Sequence, residues 1–180
     1  MGSNTCCSTK CVYGTQVDTR RLHGLACKDS GQRHIRYAML NDILWKAIKK
    51  AEVPASKEPV GVSCIDAKRP DGATLIPWAC GKQMAWDVTV PDTYTQSHLD
   101  STSLLAGTVV DNAATAKKIK YTNTKIFIPV AIETGGSWNA EATKLIQDIG
   151  EKIALIHGKT QETVYLFQCI AIVIPILSIV

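Results

Sequence analysis

The chain has 180 residues, 46% of them hydrophobic and 20% charged, a composition that excludes a disordered protein and is sufficient for one globular domain. Its formal net charge of +4 permits a nucleic-acid partner but does not require one. The first 25 residues have no apolar core, so we expect no signal peptide and an intracellular protein whose seven cysteines are reduced or bind metal.

The N-terminal half predicts a knuckle, a helix and a strand-rich segment. Residues 1–30 are rich in cysteine and lack periodicity, which is typical of a short loop-rich unit. Residues 32–52 carry apolar side chains three and four apart, which predicts an amphipathic helix closed by Pro54. Short apolar segments separated by turn residues then predict three strands, at residues 61–65, 74–78 and 84–90.

The C-terminal half predicts two helices around a further strand. Residues 106–121 are compatible with a helix, and residues 125–133 form an apolar strand in which Pro129 favours an edge or a bulge. Ser137 is the predicted N-cap of a second amphipathic helix, which ends at Gly158.

The order helix, three strands, helix, strand, helix predicts an α/β fold. Three consecutive strands can form an antiparallel meander, whereas a fourth strand reached through a helix should lie parallel to a neighbour. We therefore expect a mixed sheet with helices on both faces.

Two aspartates stand where paired carboxylates can form a cation site. Asp71 lies in a Pro-Asp-Gly turn before the second strand, and Asp87 interrupts the apolar third strand, where aspartate is disfavoured. We expect both at one edge of the sheet, open to solvent, and about 4–6 Å apart. Two close carboxylates repel, so the pair favours a divalent cation. The alternative is that Asp71 only forms a turn and Asp87 is an exposed strand residue.

Four soft or imidazole ligands lie in the N-terminal knuckle. They are Cys7, Cys11, His23 and Cys27. Four such ligands in a short polar stretch suit tetrahedral coordination, which predicts a structural Zn²⁺ site. The alternative is a set of free cysteines in a frayed N-terminus.

An ordered set of segments between residues 11 and 168 resembles one known family. Its core is Arg69-Pro70-Asp71, followed after fifteen residues by Asp87. The accompanying segments are HGLAC at 23–27, RH at 33–34, LND at 40–42, KEP at 57–59, KRPDG at 68–72, WDVT at 86–89, residues 117–121 and FIPVA at 127–131. The set resembles the restriction-like endonuclease of the PD-(D/E)xK type that follows the reverse transcriptase in some non-LTR retrotransposons.

The resemblance implies a restriction-endonuclease-like mixed β-sheet in the order α-β-β-β-α-β-α. It gives Asp71, Asp87 and the Val88 carbonyl as ligands of Mg²⁺ or Mn²⁺. The superfamily's usual lysine, two residues after the second acid, is absent, because that position is Thr89. The retrotransposon branch takes its lysine from the following helix instead.

In this chain the implied lysine is Lys117 or Lys118, which precede Tyr121 by four and three residues and so share its helix face. The apolar stripe of the helix ends at Lys117, so we expect the helix to pack on the third strand with Lys117 at the carboxylate pair. An ordinary solvated helix face is the alternative. Glu58 and Tyr121 are further implied catalytic residues, and a plain surface role is the alternative for Glu58.

The resemblance also implies DNA as the partner, no small-molecule cofactor, and a nuclear location. The implied phosphate contacts are Arg33 and His34, which open the first helix, and Lys68 and Arg69, which precede Asp71. A bland surface histidine is the alternative for His34.

The chain departs from the family at the zinc motif. The family has a Cys-x-Cys pair where this chain has Cys11 and Tyr13, so Cys7 or Cys6 must supply the missing ligand.

The C-terminus departs further, since the family ends in a polar-faced amphipathic helix. Residues 164–180 are almost entirely apolar, although Gln168, Pro175 and Ser178 make them marginal for a membrane span. We expect a core strand followed by an aggregation-prone tail over residues 169–180, and the alternative is a frame-shifted or mistaken gene end.

Together these features predict a Mg²⁺-dependent DNA endonuclease derived from a retrotransposon, in which water attacks a phosphodiester in line. The expected regions are a knuckle over residues 1–30, a nuclease domain over residues 31–168, and the apolar tail. Two alternatives come from other classes. One is a catalytically decayed remnant that only binds nucleic acid, and the other, a membrane-tethered protein, rests on the tail alone.

Overall fold

The computed structural model describes residues 9–10, 14, 16–17, 31–59, 69–91, 107–121 and 125–176. The helices in these ranges are α1 (Gly31–Lys50), α2 (Thr108–Lys120), α3 (Ala140–His157) and α4 (Glu162–Ile176). The strands are β1 (Thr9–Lys10), β2 (Gln16–Val17), β3 (Ala55–Lys57), β4 (Gly72–Thr74), β5 (Met84–Thr89) and β6 (Ile126–Ala131). β1 and β2 form an antiparallel pair. The predicted zinc ligands Cys7, Cys11, His23 and Cys27 lie outside the described residues.

A four-stranded mixed sheet in the order β3-β4-β5-β6 is flanked by helices. β3, β4 and β5 are antiparallel neighbours, whereas β6 follows α2 and runs parallel to β5, as predicted. Pro129 lies in β6, the last strand of this order, which agrees with the predicted edge position. The prediction missed β3, and the strand that it placed at residues 61–65 lies outside the described residues.

The two faces of the sheet differ because successive strand residues point to opposite sides. On β5, Trp86 and Val88 join the main hydrophobic core, to which α1, α3 and α4 also contribute. The opposite face is covered by α2, which packs on β6 through a small buried cluster that includes Ala114 and Ala131. Asp87 is tolerated in an otherwise apolar strand because this alternation places it on the α2 face.

β4 begins inside the predicted turn, so the prediction of a strand over residues 74–78 is wrong. Gly72 is required as its first residue because the indole of Trp86 lies against it, and an added Cβ would come within 2.0 Å of Trp86 Cζ2. The strand stops at Thr74, whose hydroxyl accepts a hydrogen bond from the Met84 N–H at 3.0 Å.

α3 ends as predicted but begins differently. Gly158 closes it in the left-handed conformation, with a φ of 69°. The prediction of Ser137 as the N-cap is wrong, because Asn139 occupies that position. The Asn139 side chain binds β6 instead of the first helical turn, with Oδ1 accepting from the Ala131 N–H and Nδ2 donating to the Pro129 carbonyl, both at 3.0 Å. It thereby ties α3 to β6.

The apolar C-terminal segment is helical as far as Ile176, so the predicted core strand is wrong. The last four residues of the predicted tail, 177–180, lie outside the described residues. The buried side chains of α4 recur at helical spacing: they are Leu166, Ile170, Val173 and Ile174. Apolar residues such as Tyr165 and Ile172 are exposed on the other side of the helix. Because both sides are apolar, the sequence shows no helical alternation of apolar and polar residues. None of the helices in the described part of the chain has the length and apolar character of a membrane span.

Candidate active site

The register of β4 and β5 brings the two predicted carboxylates together. Gly72 pairs with Trp86, and continuing the antiparallel register by one residue sets Asp71 opposite Asp87. Both residues are buried, with exposed fractions of 8% and 3%. The expectation that they would lie at one edge of the sheet and open to solvent is therefore wrong. β5, which carries Asp87, is paired on both sides, and hydrogen-bond donors from three elements surround the two carboxylates.

Asp71 is held at both carboxylate oxygens. The Tyr37 hydroxyl on α1 donates to Oδ1, and the Val88 N–H on β5 donates to Oδ2 at 2.5 Å. Burial of the carboxyl, reinforced by the negative charge of Asp87, raises the pKa of Asp71 from 3.8 to about 7, although the Val88 N–H and the Lys117 ammonium act in the opposite direction. Asp71 is thus a carboxyl group whose charge is poorly compensated by its surroundings.

Asp87 is held by the last residues of the α2 segment. Lys117 Nζ lies 2.6 Å from Asp87 Oδ1, and the Tyr121 hydroxyl lies 3.1 Å from Oδ2. The same hydroxyl lies 3.1 Å from the carbonyl oxygen of Arg69. Because a phenol has one proton, Tyr121 donates to one of these acceptors at a time. Its ring is stacked on Phe127 of β6 with the centroids 4.5 Å apart, which fixes the direction of the hydroxyl.

The start and the packing of α2 determine where Lys117 lies. The buried Glu133, just after β6, caps the helix by accepting a hydrogen bond from the Val110 N–H at 3.2 Å, where a negative charge also suits the helix dipole. Val110, Ala114 and Lys117 follow one stripe, and its apolar part packs on β6. We expected α2 to pack on the predicted third strand, which is β5, but it packs on the neighbouring strand β6. From this position Lys117 reaches across to Asp87 on β5.

The structure separates the two candidate lysines. Lys118 is rotated by about 100° from its neighbour on the helix, and its Nζ lies 2.8 Å from Glu141 Oε1 on α3. It therefore points away from the carboxylate pair. Glu58 is near the pair through its backbone, since its N–H donates to the Asp71 carbonyl at 3.0 Å, but its side chain is exposed.

The predicted DNA contacts are only partly described. Arg69 is exposed two residues before Asp71, and His34 is exposed near the start of α1. Lys68 and the side chain of Arg33 lie outside the described residues.

Sequence reasoning missed Tyr37 and Asn41 as members of the site. Asn41 Nδ2 lies 3.4 Å from the Asp71 carbonyl, and its Oδ1 accepts from Trp86 Nε1 at 3.0 Å. The sequence contained one signal for Asn41: it lies on the apolar stripe of α1, and a buried asparagine there requires hydrogen-bond partners. Tyr37 lies four residues earlier on the same face.

The donor set is consistent with a small, hard cation that keeps several waters. Mg²⁺ takes one or two carboxylates in such sites, and the carboxylates of Asp71 and Asp87 supply them. The described residues contain no group of three or more acidic, histidine or cysteine side chains arranged to hold a metal, so a cage built from such side chains is not part of this region. The raised pKa of Asp71 fits a site whose charge a cation would compensate.

Comparison with other proteins adds no assignment, because the chain matches no protein-family model and no curated protein. The function is therefore inferred from the geometry of the described residues.

The pKa of Asp71 predicts how stability depends on pH without metal. The folded protein binds more protons than the unfolded chain between the unfolded pKa of 3.8 and the folded pKa of about 7. The free energy of unfolding should therefore fall as the pH rises through this window, by up to about 4 kcal/mol from this residue. Urea unfolding in EDTA at several pH values measures the effect.

Asp71→Asn is the control for this prediction. The amide does not titrate, and its nitrogen can face Tyr37, whose hydroxyl accepts as well as donates. The variant should lose most of the decline between pH 4 and 7. An equally steep decline in the variant would assign it to other groups.

Proposed function

We propose that the chain is a Mg²⁺-dependent endonuclease domain that hydrolyses phosphodiester bonds of DNA. The observation that carries the proposal is the buried Asp71–Asp87 pair with Lys117 Nζ 2.6 Å from Asp87. Buried like charges are costly, and a buried arrangement of two acids and one lysine is typical of a functional site. The resemblance to the restriction-like endonuclease of non-LTR retrotransposons supports the same reaction, the same fold family and an origin in such an element.

The residues of the site have distinct roles in this proposal. Asp71 and Asp87 would hold Mg²⁺, which when bound supplies positive charge at the scissile phosphate and makes a water more acidic. Lys117 neutralises negative charge that develops on the phosphate oxygens in the transition state. Tyr121 fixes the orientation of Asp87 through its hydroxyl. Burial of both acids restricts water, which strengthens each of these electrostatic interactions.

Exposed basic groups on two segments that contribute to the site fit a DNA backbone. Arg69 precedes Asp71 by two residues, and His34 is exposed on α1. Arginine pairs with phosphate through two parallel hydrogen bonds, so Arg69 is the stronger candidate for a contact next to the scissile group. Such contacts position the duplex without reading its sequence.

A catalytically inactive nucleic-acid-binding remnant is the second candidate function. The observation in its favour is that every carboxylate oxygen of the pair already has a donor in the structure, from Tyr37, Val88, Lys117 and Tyr121. A polar network in which each carboxylate oxygen has a partner can be retained for the fold alone.

A plasmid-nicking assay separates the two candidates. The purified chain of 180 residues with Mg²⁺ or Mn²⁺ should convert supercoiled plasmid to open circles, and EDTA should stop the reaction. A gel-shift assay on the same preparation measures DNA binding. Binding without cutting, at any concentration of either cation, would favour the remnant and reject the endonuclease.

A further inference from the structure

One face of α1 reaches Asp71 at two points. The Tyr37 hydroxyl donates a hydrogen bond to the carboxylate, and the Asn41 amide, one helical turn later, donates to the main-chain carbonyl at 3.4 Å. Asn41 is also bound by the indole of Trp86 at 3.0 Å, and that indole lies against Gly72. Asn41 therefore fixes the backbone around Asp71, while Tyr37 acts on the side chain.

The two donors on the Asp71 carboxylate come from different elements and oppose rotation of the group. The last torsion of an aspartate has a broad energy profile, so an unrestrained carboxylate samples many orientations. The Tyr37 hydroxyl on Oδ1 and the Val88 N–H on Oδ2 define the plane of the carboxylate. An ionised carboxylate has about four acceptor positions, so two lone pairs stay available for a cation.

We infer that Tyr37 is a positioning residue that holds the Asp71 carboxylate in the orientation from which it binds a divalent cation. The inference rests on the proposed function, because it assumes that Asp71 is a metal ligand. Partners that orient a ligating carboxylate typically change metal affinity by about 10–100-fold when they are removed. Tyr37 has this position, since its hydroxyl binds the Asp71 carboxylate.

The aromatic ring and the hydroxyl of Tyr37 can be tested separately. The ring is half-buried and packs against the main core, whereas the hydroxyl is the group that binds Asp71. Tyr37→Phe keeps the ring and its packing and removes only the donor. A purely structural role for the hydroxyl would change the melting temperature but not the affinity for the cation.

The test measures Mn²⁺ binding to the full chain without DNA, from the electron paramagnetic resonance signal of free Mn²⁺. Tyr37→Phe should bind Mn²⁺ about tenfold more weakly than wild type or worse. In the nicking assay, the Mn²⁺ concentration for half-maximal rate should rise by a similar factor, while the rate at saturating Mn²⁺ returns close to that of wild type. Tyr165→Phe is the matched control, because it removes an exposed phenol on α4 that interacts with Cys169.

The outcomes distinguish this inference from the proposed function. If wild type binds Mn²⁺ and Tyr37→Phe binds it equally well, the positioning role is overturned while the endonuclease proposal stands. A variant that binds normally but cuts slowly at saturating Mn²⁺ also overturns it, because Tyr37 would then act on the reaction itself. If wild type neither binds Mn²⁺ nor cuts DNA, both proposals fail.

Discussion

Asp87→Asn should lower the rate of plasmid nicking by about a thousandfold or more, because the loss of a metal-ligating carboxylate removes several kcal/mol of transition-state stabilisation. The substitution keeps the shape of the side chain. Its amide oxygen can accept from Lys117 while its amide nitrogen donates to the Tyr121 hydroxyl, so the fold should be retained. DNA affinity should stay the same or rise slightly, since a negative charge near the backbone phosphates is lost. Single-turnover nicking, circular dichroism and a gel shift measure the three quantities.

Asp148→Asn provides the matched control for this experiment. Asp148 lies on α3 and its carboxylate is 3.0 Å from Lys144, so the substitution removes the same charge from an ion pair outside the site. Surface ion pairs of this kind contribute about 0–1 kcal/mol, and this variant should cut like wild type. Equal nicking by Asp87→Asn and Asp148→Asn would show that the activity comes from elsewhere or from a contaminating nuclease.

The contact between Lys117 and Asp87 could be predicted because both positions follow from local periodicity. Alternation along a strand fixes the face of Asp87, and the helical period fixes the face of Lys117 relative to Val110 and Ala114. β4 and β5 are consecutive along the chain and pair in an antiparallel way, and the alternation of side chains along each strand limits how Asp71 and Asp87 can pair. Strand alternation and helical periodicity are both read from residues close together in the sequence.

The contacts of α1 with the site could not be predicted in this way. Tyr37 and Asp71 are 34 residues apart, and their hydrogen bond depends on how α1 packs across the sheet. The spacing of apolar residues in α1 predicts which side of the helix is buried, but it does not predict which strand that side contacts. The burial of Asp71 and Asp87 was missed for the same reason, because the donors that surround them come from separate elements.

The errors in β4 and α4 have local physical causes. A Pro-Asp-Gly sequence is a common turn, and nothing near Gly72 shows that the Trp86 indole requires a residue without a side chain there. In α4, apolar residues on the exposed side erase the contrast on which a helical period depends. Sequence patterns fail at these points because the same residue types occur in a turn and in a strand, or in a strand and in a helix.

Lys117→Met should lower the nicking rate and raise the affinity for Mn²⁺. The side chain keeps most of its apolar stem, but the ammonium that opposes charge on the phosphate is lost, and removal of one such group typically lowers the rate by about a hundredfold. In the structure the same ammonium lies 2.6 Å from Asp87 Oδ1, where it competes with a cation for that oxygen. Without it, two uncompensated acids should bind Mn²⁺ several-fold more tightly.

Lys118→Met is the matched control, because the neighbouring lysine carries the same charge but binds Glu141 on α3. It should cut and bind Mn²⁺ like wild type, and both variants should lose only a small part of their DNA affinity, since one phosphate contact is a minor share of binding. Opposite changes in rate and metal affinity separate Lys117 from a metal ligand such as Asp87, for which both quantities should fall. If Lys117→Met cuts as fast as Lys118→Met, the catalytic assignment of Lys117 is wrong, and the charge on the phosphate must be neutralised by other groups.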